Sequence, residues 1–211
     1  MSLFPFFLKL ESRRCLVVGA GRIAESKIAS LTHAGALVKV VAPEALPQIV
    51  AEAKAGRITW LQREFVESDV DGFLLVIAAT NTPAVNQLVA ATARERGILV
   101  NSVDDPPNCD FYYGSVVERG DLQVAISTAG KSPALAQRLR EEISRLLPED
   151  MGEWLDRLGE TRLDILETFP STEGRRQLLH QLAQREHCDP SNCPVEKTLN
   201  QLAPRRGKEG A

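Results

Sequence analysis

Hydrophobic and polar positions alternate along this chain in two different rhythms. Between Cys15 and Val100 short apolar runs punctuated by glycine or proline alternate with amphipathic stretches of helical period. Cys15-Leu16-Val17-Val18 has no polar position, as expected of a strand buried on both faces, and glycine closes it. Ile23 to His33 carries its apolar residues at helical spacing and ends before Gly35. Leu37 to Val41 predicts a second strand, Ala45 to Lys54 a second helix stopped by Gly56, and Ile58 to Leu61 a third strand. Phe73 to Ile77 predicts a fourth strand, which runs into Ala78-Ala79-Thr80-Asn81. Pro83 opens a helix to Arg96, stopped by Gly97, and Ile98-Leu99-Val100 is a fifth strand. Strand and helix alternating at this spacing predict a parallel, doubly wound α/β sheet with right-handed crossovers.

After Asp104-Asp105-Pro106-Pro107 the rhythm changes. Phe111 to Val117 and Leu122 to Ser127, joined by Glu118-Arg119-Gly120-Asp121, predict an antiparallel hairpin. Ser132-Pro133 suits the start of a helix running from Ala134 to Leu147. From Pro148 the chain reads as helical, with Trp154, Leu155, Leu158, Leu163 and Leu166 at helical spacing and an interruption at residues 171–174. A last helix spans about Arg175 to Arg185, and the charged tail beyond Pro204 reads as disordered. Two strands and one helix make too small a core to stand alone, so residues from about Tyr113 to Leu147 are expected to bury themselves against a second copy.

The glycines and strand ends carry the candidate chemistry. Gly19-Ala20-Gly21-Arg22-Ile23-Ala24 is a G-x-G-x-x-A string set between a strand and a helix. Gly19 permits the tight turn, Gly21 lets a pyrophosphate approach the backbone, and Ala24 keeps the helix close to the sheet. The amides of Arg22 and Ile23, at the positive end of the helix, then face the phosphates. This is the fingerprint of a Rossmann-type dinucleotide site. The ribose-gripping acid expected at the second strand end is displaced into the loop Pro43-Glu44. Glu44 is read either as a ribose ligand or as a first-turn acid complementing the next helix dipole. With no arginine beside that strand end to hold a 2′-phosphate, NAD is favoured over NADP. Thr80 and Asn81, at the fourth strand end, suit a nicotinamide ribose or, alternatively, a turn capping the next helix. Asp104 and Asp105 are read as an Asx turn stiffened by two prolines or as a site acid.

Taken together, several of these segments resemble the precorrin-2 dehydrogenase family, which includes the N-terminal part of the siroheme synthases. They are Val17 to Ala24 with Lys27, Ala78 to Asn81, Asn101 to Pro106, and Ala125 to Ala136, and the resemblance runs in order from residue 1 to about 185. It implies a nucleotide domain over residues 1–112, a dimerisation segment over 113–147 and a helical C-terminal domain over 148–203, ahead of a tail at 204–211. It also implies NAD-dependent oxidation of precorrin-2 to sirohydrochlorin by a homodimer. The family's catalytic aspartate falls on Asp104, while Asp105 keeps its turn reading and Thr128 receives no role. Some relatives also insert ferrous iron, so a bifunctional dehydrogenase–ferrochelatase, with ferrous or cobaltous ion as its metal substrate, is the alternative enzyme. An NAD-sensing regulatory module is the alternative of another class.

Composition narrows the partners. A net charge of −3 gives no basic excess for nucleic acid. No apolar run reaches the roughly 20 residues of a membrane helix, and the apolar Met1–Lys9 start lacks signal-peptide features, so a cytoplasmic protein is expected. The four cysteines, 15, 109, 188 and 193, suggest no disulfide framework. His187-Cys188 with Cys193 lacks a fourth zinc ligand nearby, and no metal site is expected. Arg157, Arg162, Arg175 and Arg176 are read as a solvated helix face or as partners for substrate carboxylates.

Overall fold

The computed structural model describes residues 3–168 and 172–184. The His187, Cys188 and Cys193 cluster and the 204–211 tail lie outside them. The chain divides into two compact units, Met1–Gly114 with Ser127–Pro133, and Ser115–Ile126 with the residues from Ala134 onward.

The first unit is a five-stranded parallel sheet of order β3-β2-β1-β4-β5, built from β1 Arg14–Val18, β2 Leu37–Val41, β3 Thr59–Leu61, β4 Leu75–Ala78 and β5 Leu99–Ser102. Its helices are α1 Arg22–His33, α2 Pro47–Lys54 and α3 Pro83–Glu95. The apolar runs form strands because both faces are covered. Cys15, Val17, Val38, Val40, Leu75 and Ile77 face a core closed by Ala24, Ile28 and Leu31 of α1 and Ile49 of α2. Leu16, Val18, Val41, Val76, Ala78 and Val100 face the opposite core, closed by Val89, Ala90 and Ala93 of α3. Burying these side chains stabilises the sheet by roughly 1.5–3 kcal/mol each. The strand order reverses between β1 and β4, and the crevice outside their carboxyl ends is where such sheets bind ligands.

The expected elements are present with shifted ends. The second helix begins at Pro47 rather than Ala45, because a residue preceding proline is disfavoured in the helical region and Leu46 is extended, at φ −61° and ψ 150°. The last helix begins at Thr172, inside the interruption expected over 171–174. Two 3₁₀ turns, Glu67–Val70 and Pro106–Asn108, were not legible in the pattern.

The second unit holds an antiparallel hairpin, β6 Ser115–Arg119 and β7 Leu122–Ile126, with Ser115 opposite Ile126 and Arg119 opposite Leu122. Three helices follow: α4 Pro133–Leu146, α5 Met151–Thr168 and α6 Thr172–Leu182. Arg119 donates to both the carbonyl and the hydroxyl of Ser144, tying the hairpin to α4. Val116, Leu135, Leu146 and Leu163 stay exposed on this unit.

Candidate functional site

The carboxyl ends of four strands are laced to one another by backbone hydrogen bonds. Gly19 N–H donates to Val41 O at 2.9 Å, Ala79 N–H to Val18 O at 2.8 Å and Val103 N–H to Ala78 O at 2.9 Å. Leu46 N–H reaches Ala20 O at 3.2 Å, which ties the Pro43-Glu44 loop to the glycine loop. These bonds bring the expected cofactor residues and Asp104 to the same sheet edge, around the β1/β4 switch point.

The two glycines of the loop do different work. Gly19 sits at φ +106°, and a Cβ there would lie 2.4 Å from Ala79 O, so the fold itself demands glycine. Gly21 has an ordinary backbone, φ −85° and ψ −171°, and a Cβ on it would meet nothing within 4 Å. Among the described residues nothing requires glycine at 21; a pyrophosphate lying against that backbone would. Gly21 is also the N-cap of α1, and no side chain caps this helix, so its first-turn amides have no side-chain acceptor. Arg22 and Ile23 are exposed beside it, and Ala24 is fully buried against the sheet. The cradle fits a dinucleotide.

Pro43 and Glu44 are exposed in the loop after β2. Because α2 starts at Pro47 and has no acid in its first turn, the helix-dipole reading of Glu44 does not hold. Arg63, after neighbouring β3, is engaged bidentately by Asp69.

Thr80 is locked by a residue that sequence reasoning missed. Buried Asn86 on α3 accepts from Thr80 N–H at 3.1 Å and from its hydroxyl at 2.7 Å, and donates to Thr80 O at 3.0 Å. The signal was available: Asn86 is a polar residue on the buried, mostly apolar face that Val89, Ala90 and Ala93 share with Thr92. The Thr80 hydroxyl thus serves the turn, and exposed Asn81 is the group left facing outward from it.

Asp104 follows β5 in left-handed backbone, φ +59°, a conformation that asparagine and aspartate tolerate better than most residues. Its side chain is exposed and makes no hydrogen bond or ion pair to the described residues. The turn is held instead by Asp105, whose carboxylate accepts from Asn108 at 2.8 Å and whose N–H donates to Ser102 O at 3.2 Å. The chain then doubles back along β5. Cys109 pairs with Asn101, and the Cys109 thiol, pushed up by burial, donates to Ser102 O. On α1, Lys27 lies 3.5 Å from the centre of the Tyr113 ring, and burial lowers its pKa.

Arg157 and Arg162 are exposed on α5, and Arg176 pairs with Glu173 on α6. Among the described residues no group of three His, Cys, Asp or Glu is arranged to hold a metal. No described helix is long and apolar enough to cross a membrane.

Comparison with known proteins agrees with this geometry. The family described as putative NAD(P)-binding matches residues 6–115, and the one described as sirohaem biosynthesis protein central matches residues 119–146. A siroheme synthase of Photorhabdus laumondii is 40% identical over 181 residues, covering 86% of this chain and 38% of that protein. Siroheme synthase 1 of Aeromonas salmonicida is 38% identical over 204 residues, covering 96% of this chain and 44% of its own length. This chain thus spans about two fifths of these relatives. Among solved structures, SirC, a precorrin-2 dehydrogenase, superposes with a TM-score of 0.79 at 27% identity, covering 95% of this chain and 98% of SirC. The chain belongs to the putative NAD(P)-binding family, in the form found in siroheme synthases and precorrin-2 dehydrogenase.

Proposed function

We propose that this protein catalyses the NAD-dependent dehydrogenation of precorrin-2 to sirohydrochlorin in siroheme biosynthesis. The observation that carries the reading is the likeness to SirC, which extends over 98% of that enzyme rather than over the nucleotide-binding unit alone. Bound NAD+ supplies a hydride acceptor. The residues of this chain do the rest. Gly19, Gly21 and the first-turn amides of Arg22, Ile23 and Ala24 hold the pyrophosphate, and the Pro43-Glu44 loop takes the adenosine ribose. Glu44 favours NAD over NADP, and the engagement of Arg63 by Asp69 removes a nearby cation from a 2′-phosphate. Thr80 and Asn81 border the nicotinamide ribose, with Thr80 shaping the loop and Asn81 offering its amide.

Asp104 accepts the proton that leaves a ring nitrogen as hydride departs. Its exposed carboxylate has no structural partner, and Asp105 performs the turn function that would otherwise explain it. A large polycarboxylate such as precorrin-2 needs an open approach, and Asp104 stands at an exposed sheet edge.

The protein acts as a homodimer through the segment around Tyr113 to Leu147. Exposed Val116, Leu135 and Leu146, together with a hairpin lacking further strands, support this. Light scattering reads the dimer directly, and a monomer at micromolar concentration contradicts it.

The name siroheme synthase carried by the relatives motivates metal insertion as a second activity, with Asp104 stripping pyrrole protons. Adding ferrous or cobaltous ion after dehydrogenation is complete tests it: siroheme or its cobalt analogue forms faster than without protein, or the activity is dehydrogenation alone. NADH formation from precorrin-2 and NAD+ tests the main reading, and nucleotide binding without turnover would make the protein a sensor.

A further inference from the structure

Asp104 stands in left-handed backbone, and its side chain has no hydrogen-bond or ion-pair partner among the described residues, so its place is set by its neighbours. The loop behind it is gripped from α3. Arg94, in the last turn of that helix, donates from Nε to Asp110 at 3.2 Å, from Nη1 to the Asn108 side chain at 3.0 Å and from Nη2 to Pro107 O at 3.0 Å. Asn108 relays the grip, donating from its side chain to the Asp105 carboxylate at 2.8 Å and from its N–H to Asp105 O at 2.9 Å. Asp110 closes the far end, exchanging bonds with the Val100 backbone through both its N–H and its carboxylate. One guanidinium thus directs donors to three residues of a short loop, Pro107, Asn108 and Asp110.

We propose that Arg94 is a positioning residue for Asp104, acting through Asn108 and Asp105 to hold the aspartate in its left-handed conformation at the sheet edge. The proposal rests on the reading of Asp104 as the proton acceptor. The grip is half-exposed, with Arg94 and Asp110 side chains 39% and 28% accessible, so it adds little to stability and its loss leaves the fold standing. Its effect falls on geometry, where small misplacements of a reacting group cost large factors in rate.

A double-mutant cycle on the full chain tests this with precorrin-2 and NAD+. Arg94→Ala should lower kcat for NADH formation about tenfold, with KM for NAD+ changed less than twofold and Tm lowered by only a few degrees. Asn108→Ala should lower kcat in the same direction, and it decides the matter if Arg94→Ala fails to fold. In an Asp104→Asn background, Arg94→Ala should change the residual kcat less than twofold, because the group it positions is gone. A tenfold loss in both backgrounds, or no loss from either Arg94→Ala or Asn108→Ala in the wild-type background, overturns the clamp while leaving Asp104 as the acceptor. Normal turnover of Asp104→Asn alone removes both.

Discussion

Adding side chains to the two loop glycines separates what the fold needs from what the cofactor needs. Gly19→Ala forces a Cβ to 2.4 Å from Ala79 O at φ +106°, where neither backbone can give way without breaking the strand-end hydrogen bonds. Overpacking of roughly 1–3 kcal/mol and backbone strain of similar size together cost about 2–6 kcal/mol, a large part of the stability of a domain this size. Gly21→Ala meets no atom and keeps an allowed φ of −85°, so its stability should stay within about 1 kcal/mol of wild type. Gly21→Asp should also fold, but its carboxylate faces the pyrophosphate. At about 4 Å and an effective dielectric constant near 20, that repulsion is about 4 kcal/mol, discounted to roughly 2–3 at this exposed position. NAD affinity should therefore fall by roughly 30- to 150-fold. Calorimetric titration with NAD+ alongside denaturant unfolding reads both quantities. A folded Gly21→Asp with wild-type NAD affinity would refute the site, and a fully stable Gly19→Ala would refute the close approach.

Asn86→Leu should cost about 2–4 kcal/mol, because it leaves the Thr80 N–H and C=O without partners, and denaturant midpoints check it. A change below about 0.5 kcal/mol would mean the Thr80 loop is held otherwise. Asp104→Asn should keep Tm, since asparagine tolerates φ +59°, yet lower turnover by roughly 10²–10⁴. Burial pushes the Cys15 thiol up to about 11 from its usual 9.0, so the unfolded chain releases that proton first as pH rises. The stability this thiol contributes is intact below pH 9 and is lost between 9 and 11. Over that window wild type should lose about 2 kcal/mol more than Cys15→Val, and equal alkaline losses would count against the shift.

The parts legible in the sequence are those written locally. Strands with no polar position, such as Cys15 to Val18, announce burial on both faces, and the G-x-G-x-x-A string announces its own turn. The start of α2 was misplaced because Ala45 and Leu46 extend the apolar pattern, although Pro47 holds the boundary. The local Asn86 bonds to Thr80 leave one trace in the sequence, a polar position on a mostly apolar helix face. The grip of Arg94 on residues 107–110 depends on where the chain doubles back, which no periodicity records. So does the approach of α5 to the hairpin turn, where a Cβ on Gly152 would lie 2.9 Å from Arg119 O. Adjacent aspartates before two prolines look equivalent by pattern, and only the family resemblance separates them in the sequence; the coordinates add that Asp105, rather than Asp104, bonds within the turn.

The most direct test of the account is a single reaction mixture of the protein, enzymatically made precorrin-2 and NAD+, followed at once for NADH and for the sirohydrochlorin chromophore. Both should appear with the same time course and in equal amounts, and Asp104→Asn should slow both together while still binding NAD+. Binding of NAD+ by the folded wild-type protein with neither product formed above the protein-free rate would contradict the proposed activity.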